Sequence, residues 1–261
     1  TGIAWDHINV FPTFENYVEH FKIFTDKIEP NGTLAYYSND KELCKLGNVL
    51  RPDIKQVLYN IPSHTITKGI TTIVDGDKTY PLHVFGEHNL QNILGAKLML
   101  NDIGVNDHEF YTAITSFKGA AKRLETIAKN DKTIIYKDFA HSPSKLKATT
   151  QAVKQQFPDR QLIACMELHT FSSLQKEFLP QYEDCMKNAD KAYVYFSPKV
   201  VEHKKLPPIT AELVKSAFAS ENVTVFTDST ALTNQLKQEN LANSNLLLMS
   251  SGNFNGVDLN G

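Results

Sequence analysis

Apolar positions between residues 12 and 28 recur three and four apart, at Phe14, Tyr17, Val18, Phe21, Phe24 and Ile28. That period places them on one buried face of a helix beginning at Pro12 and Thr13. Residues 33–38 (TLAYYS) read as a strand, and 40–50 as a helix capped by Ser38 or Asn39. Between 64 and 84 the pattern alternates in the manner of strands around Asp75-Gly76, a hairpin signal. A helix follows over 86–104, opening at Gly86 and closing near Gly104, and Asp107 caps a shorter one reaching about Phe117. From about 118 the texture becomes regular. Apolar strands at 133–140, 161–168, 191–196, 223–227 and 245–251 alternate with helices at 143–157, 174–188, 210–219 and 229–240. Short, nearly continuous apolar strands between helices predict a parallel sheet covered on both faces. Ligands of such sheets sit beyond the carboxyl ends of the strands.

Composition changes this picture little. A chain of 261 residues with 41% hydrophobic and 21% charged residues can bury a core, and its length suits two modest domains. A net charge of -2, from 27 basic and 29 acidic residues, gives no basic surface for nucleic acid or an anionic membrane. Cys44, Cys165 and Cys185 are odd in number and form no C-x-x-C pair, which points to reduced thiols. No apolar stretch approaches the ~20 residues of a membrane helix. The opening TGIAWDHINV lacks the basic head and apolar run of a signal peptide, so a cytoplasmic location is expected.

Several polar groups are candidates for chemistry. Asp6-His7 pairs a carboxylate with an imidazole, which suits a divalent metal near phosphates or simply a turn. In Gly86-Glu87-His88-Asn89, with Asn92 one turn on, two carboxamides share a helix face and could meet a purine edge, although asparagines also decorate helix starts. Arg123, in the run 117–125, could bridge phosphate oxygens bidentately or belong to a solvated basic face. Asp138-Phe139-Ala140-His141-Ser142-Pro143 joins a strand end to a helix start, where a parallel sheet binds a nucleotide. There Asp138 could accept from ribose hydroxyls, and His141 could contact a phosphate or the reacting centre. Glu167-Leu168-His169-Thr170 ends another strand at the same rim. The glycine-rich run 249–256, with Ser251, Gly252 and Asn253, could hold an oxyanion on its backbone amides.

Taken in order, these pieces resemble the Mur ligase family. They are Asp6-His7, G-x-H-N-x-x-N at 86–92, F-x-G-x-x-x-R-x-E at 117–125, D-F-A-H-x-P at 138–143 and S-G-x-F-x-G at 251–256. The likeness spans the chain and is greatest to members using UDP-N-acetylmuramate. Among these, the member adding L-alanyl-γ-D-glutamyl-meso-diaminopimelate comes first and the L-alanine-adding member next. The resemblance implies an α/β fold: residues 1–115 as the remainder of a central ATP-binding domain, and 116–261 as a Rossmann-like, doubly wound carboxyl-terminal ligase domain. It implies ATP and Mg2+ as cofactors, and UDP-N-acetylmuramate with an amino acid or peptide amine as substrates. His7 would ligate magnesium. Asn89 and Asn92 would contact adenine, with His88 beside them, Asp138 the ribose, and Arg123 the ATP phosphates. His141 and Arg123 would be catalytic, while His169, Ser251, Gly252 and Asn253 would meet the amine substrate. The chain contains no G-x-x-G-K-[ST] loop, so it is expected to be the back portion of a longer enzyme, inactive alone. His141-Ser142-Pro143 stands where close relatives carry two histidines, and residues 167–173 (ELHTFSS) lack an expected arginine. A folylpolyglutamate synthase-like ligase and a non-catalytic nucleotide-binding module remain the alternatives, and the sequence leaves the oligomeric state open.

Overall fold

A computed structural model describes residues 1–257 and separates the chain into two compact units, 1–118 and 119 onward. In the first unit, helix α1 (Phe14–Asp26) is capped by the Thr13 hydroxyl, which accepts from the Asn16 amide. Phe14, Tyr17, Val18 and Phe21 pack on a small core of Ile3, Tyr36 and Leu43, as their spacing predicts. Phe24 departs from that stripe, being 67% exposed.

Strand β1 (Thr33–Tyr37) pairs in parallel with β2 (Lys55–Tyr59), and α2 (Lys41–Asn48) lies between them in the chain. The cap of α2 is Asp40 rather than Ser38 or Asn39, and its carboxylate accepts from both the Leu43 and Ile3 amides. Beyond β2, strands β3 (His64–Thr67), β4 (Ile70–Asp75) and β5 (Lys78–Leu82) form an antiparallel meander. It turns at Lys68-Gly69 and at Gly76, whose φ of +60° suits glycine. Helix α3 (Glu87–Asp102) starts at Gly86 and stops before Gly104, while α4 (Asp107–Ile114) is held by an Asn106–Glu109 capping box. The expected cap at Asp107 is therefore displaced by one residue, because Asn106 offers the side-chain oxygen to the Glu109 amide.

The second unit carries a six-stranded sheet in the order β10-β9-β8-β11-β7-β6. Its strands are β6 (Glu125–Lys129), β7 (Ile134–Asp138), β8 (Gln161–Leu168), β9 (Lys191–Phe196), β10 (Val223–Phe226) and β11 (Ser244–Met249). Five run parallel, and β6 runs antiparallel at one edge. The central strands β8 and β11 are buried almost throughout, which explains their unbroken apolar sequences. Helix α5 (Pro143–Gln156) covers β8 and β11, whereas α7 (Ala211–Phe218) and α8 (Ser229–Gln238) cover the β9–β10 side. The expected doubly wound α/β fold is thus observed.

Residues 174–188 do not form the expected helix. A short 3-10 turn, Ser172–Leu174, leads into the segment and a second, Leu179–Tyr182, lies within it. Leu174, Phe178, Tyr182 and Met186 are buried at helical spacing, but Pro180 has no amide to donate and Asp184 sits at φ +58°. Helix α6 (Pro198–His203) and the exposed edge strand β6 have no counterpart in the sequence reading.

Candidate functional site at the carboxyl rim of the parallel sheet

Strand β11 lies between β7 and β8, so the loops leaving all three strands are neighbours. The pairing places Asp138 beside Met249, and Met249 beside Met166. This brings Asp138, His141, Glu167, His169 and the 250–254 loop to one rim, where a parallel sheet presents polar groups to ligands.

Asp138 ends β7 and is buried. Its carboxylate accepts from the Leu124 amide at 2.7 Å and from the Ala140 amide at 2.6 Å. Burial pushes the carboxyl up from its ordinary range, against the pull of these amides and of Arg123. Asp138 also anchors the rim through its backbone, since its carbonyl accepts from the Ser250 amide. The Asp138–Leu124 bond holds a tight segment in which Gly119, Lys122 and Leu124 all have positive φ. Within it, the exposed Arg123 lies with its guanidinium carbon 5.6 Å from the Phe139 ring centroid. His141 is buried; its Nδ1 faces the Phe139 carbonyl at 2.9 Å and therefore carries the proton. The His141 carbonyl accepts from the Tyr182 hydroxyl at 2.6 Å.

Glu167 sits at the end of β8, only 2% exposed. One carboxylate oxygen accepts from the Ser250 hydroxyl and, at 2.9 Å, from the Phe254 amide. The other lies 3.5 Å from Nδ1 of the half-buried His169. Burial pushes this carboxyl up, but the facing His169 ring and the hydrogen bonds from Ser250 and Phe254 together outweigh it and hold it below the ordinary glutamate range. The Ser250 hydroxyl also accepts from the Gly252 amide at 2.7 Å. A Cβ on Gly252 would lie 2.7 Å from the Glu167 carboxylate and 2.8 Å from the His169 ring, so glycine lets the backbone approach both. Phe254 is buried and stacks on Tyr195. Asn253 is exposed and accepts from the Gly256 amide, while the Ser251 hydroxyl is buried with no hydrogen-bond partner among the described residues.

The remaining candidates lie in the first unit. His7 adopts a positive φ of 57°; its amide donates to the buried Asp6, and its ring is exposed. On α3, the half-buried Asn89 donates to the Phe85 carbonyl at 2.8 Å, with His88 half-buried beside it and Asn92 exposed one turn on. Among the described residues, no group of three or more His, Cys, Asp or Glu side chains is gathered to hold a metal ion. Glu167 and Ser250 hold the rim together, although by sequence they stand only within the candidate runs 167–170 and 249–256, with no role of their own. The available signal was an acid closing an otherwise apolar strand, which a buried carboxylate with fixed partners explains.

A mainly parallel, doubly wound sheet with a polar carboxyl rim defines an α/β ligand-binding domain. Residues 122–252 match the family model described as Mur ligase, glutamate ligase domain, and the chain belongs to that family. It is 27% identical over 205 residues to the UDP-N-acetylmuramate–L-alanine ligase of Desulfitobacterium hafniense, covering 74% of this chain and 45% of that protein. The chain thus spans about half the length of the curated relatives it matches. The fold is similar to that of UDP-N-acetylmuramate-alanine ligase from Thermotoga maritima, with a TM-score of 0.64 and 15% identity over 96% of this chain and 55% of that one. It is also similar to a murein peptide ligase from Psychrobacter arcticus, with a TM-score of 0.59 and 17% identity over 92% and 52% of the two chains.

Proposed function

We propose that the chain is the carboxyl-terminal portion of an ATP-dependent ligase joining an amine to the carboxylate of UDP-N-acetylmuramate, in peptidoglycan precursor synthesis or recycling. The observation that carries this reading is the gathering of Asp138, His141, Glu167, His169 and the 250–254 loop at one rim of a family-matched domain. ATP supplies the phosphoryl group that converts the carboxylate to an acyl phosphate. The amine then attacks the acyl carbon, the amide forms, and inorganic phosphate leaves with one of the carboxylate oxygens.

Arg123 is suited to phosphate because its exposed guanidinium offers paired donors. Asn89 and Asn92 are suited to a purine edge, and the two remaining lone-pair directions of Asp138 to ribose hydroxyls. His141, His169 and the Ser251–Asn253 backbone are proposed to meet the amine substrate. Asp6 and His7 alone do not make a metal shell, so the proposed magnesium contact of His7 requires further oxygen donors. The 1–118 unit is proposed as the carboxyl-terminal part of the central ATP-binding domain, and the second unit as the ligase domain. Lacking a G-x-x-G-K-[ST] loop, the 261-residue chain is proposed not to turn over ATP alone.

The test is product analysis with the full-length protein, Mg2+, ATP and UDP-N-acetylmuramate. Separate reactions receive L-alanine, the diaminopimelate tripeptide, or folate with glutamate. A UDP-muramoyl product supports the reading and names the amine, whereas a polyglutamylated folate replaces it with the folate-ligase alternative. Absence of both product and ADP replaces it with a non-catalytic nucleotide-binding module.

A further inference from the structure

The Glu167 carboxylate is the point at which three separate pieces of the rim meet. It receives the Ser250 hydroxyl and the Phe254 amide on one oxygen, and faces His169 Nδ1 on the other. Ser250 is tied in turn to the Gly252 amide, and Gly252 packs where a Cβ would strike both Glu167 and His169. With Glu167 2% exposed, the carboxylate is shielded from solvent. We propose that Glu167 is a positioning residue that pins the 250–254 loop and sets the tautomer of His169, leaving His169 Nε2 as a proton acceptor on the open side of the rim.

An ionised carboxylate only accepts, so it selects the imidazole tautomer with the proton on Nδ1. Nε2 then keeps its lone pair on a ring whose side chain is 35% exposed. An amine becomes a nucleophile only after losing a proton, and a neutral imidazole of this tautomer is a suitable acceptor. This use of Nε2 rests on the ligase reading, whereas the pinning and the tautomer do not. Side chains that only accept or only donate would act differently at position 167, which makes the assignment separable from mere packing.

In the 261-residue chain carrying Glu167→Gln, the amide oxygen can still accept from Ser250 and Phe254 while its NH2 turns to His169. The proton of His169 then moves to Nε2. Imidazole 15N NMR should report Nδ1–H in the parent sequence and Nε2–H in Glu167→Gln. In Glu167→Ala, amide exchange at Gly252 and Phe254 should accelerate at least about tenfold relative to the β8 and β11 amides. If that variant does not fold, Ser250→Ala replaces it in the exchange measurement. An unchanged His169 tautomer in Glu167→Gln, or unchanged exchange at both loop amides, overturns the proposal. In the full-length ligase, Glu167→Gln should lower kcat about a hundredfold with the KM for ATP unchanged. An unchanged kcat in an active ligase overturns the role of Nε2. A protein with no ligase activity defeats the functional reading alone, leaving the NMR and exchange outcomes to decide the positioning role.

Discussion

Asp138, the last residue of β7, and Glu167, the last but one of β8, flank β11, yet their surroundings push their carboxyls in opposite directions. Burial dominates at Asp138, where two amide donors do not offset it. At Glu167, donors from His169, Ser250 and Phe254 together exceed the cost of burial. Carboxyl 13C titration should therefore place the Glu167 midpoint below 4.5 and the Asp138 midpoint above 3.8, and a Glu167 midpoint above 4.5 or an Asp138 midpoint below 3.8 would contradict the geometry. The signs for stability follow by linkage. Stabilisation by Glu167 is fully present above pH 4.5 and is lost as pH falls through its depressed folded value. The raised Asp138 value favours the fold below pH 3.8, and that share is lost as pH rises through the folded value. At this scale the sequence already showed Asp138, His141 and His169 as strand-end polar groups. It could not show that both Asp138 oxygens are taken by amides, because Leu124 reaches Asp138 only through a turn of positive-φ residues.

Among the elements, those whose apolar pattern is produced by a single environment were legible. The run in β8 is apolar because both faces are covered, and the α1 stripe because one face is. Strand β6 was invisible for the opposite reason: at the sheet edge it buries little beyond Ile127, so ETIAK carries no alternation. The 174–188 segment misled because burial at helical spacing does not require helical hydrogen bonding. Its side chains fill the core from two short 3-10 turns, the second of which contains Pro180. Helix ends are similarly local, as Asp40 and Asn106 show by capping one residue away from the expected positions. One end is imperfect. Helix α7 closes with Ala219 at φ +47°, in the left-handed region that a glycine occupies without strain. Ala219→Gly should therefore stabilise the protein by about 0.5–1 kcal/mol, read as a rise in Tm. A fall in Tm would mean that the alanine methyl matters more than the backbone strain.

For the molecule as a whole, the two units differ in how completely they bury themselves. In the second, β8 and β11 are each paired on both sides and covered on both faces. The first has a parallel sheet of only two strands, with Phe24, Val49 and Ile103 all at least 67% exposed. Hydrogen exchange should accordingly show β8 and β11 as the slowest amides and β1 and β2 as much faster, while the opposite ranking would contradict this account. No helix among the described residues is long and apolar enough to cross a membrane. The alternation from 118 onward made the doubly wound domain readable, since the crossovers after β7, β9 and β10 repeat the same strand-to-helix exchange of period, and only the one after β8 departs from it. The first unit was less readable because its strands are short and half-exposed. In the proposed reaction a carboxylate is activated as an acyl phosphate, and isotope transfer follows that step. The full-length protein is given UDP-N-acetylmuramate labelled with 18O in its carboxylate, together with ATP, Mg2+ and the accepted amine, and the released phosphate is analysed by mass spectrometry. The account predicts one 18O atom in each phosphate released with amide product. Amide formation with unlabelled phosphate would contradict it.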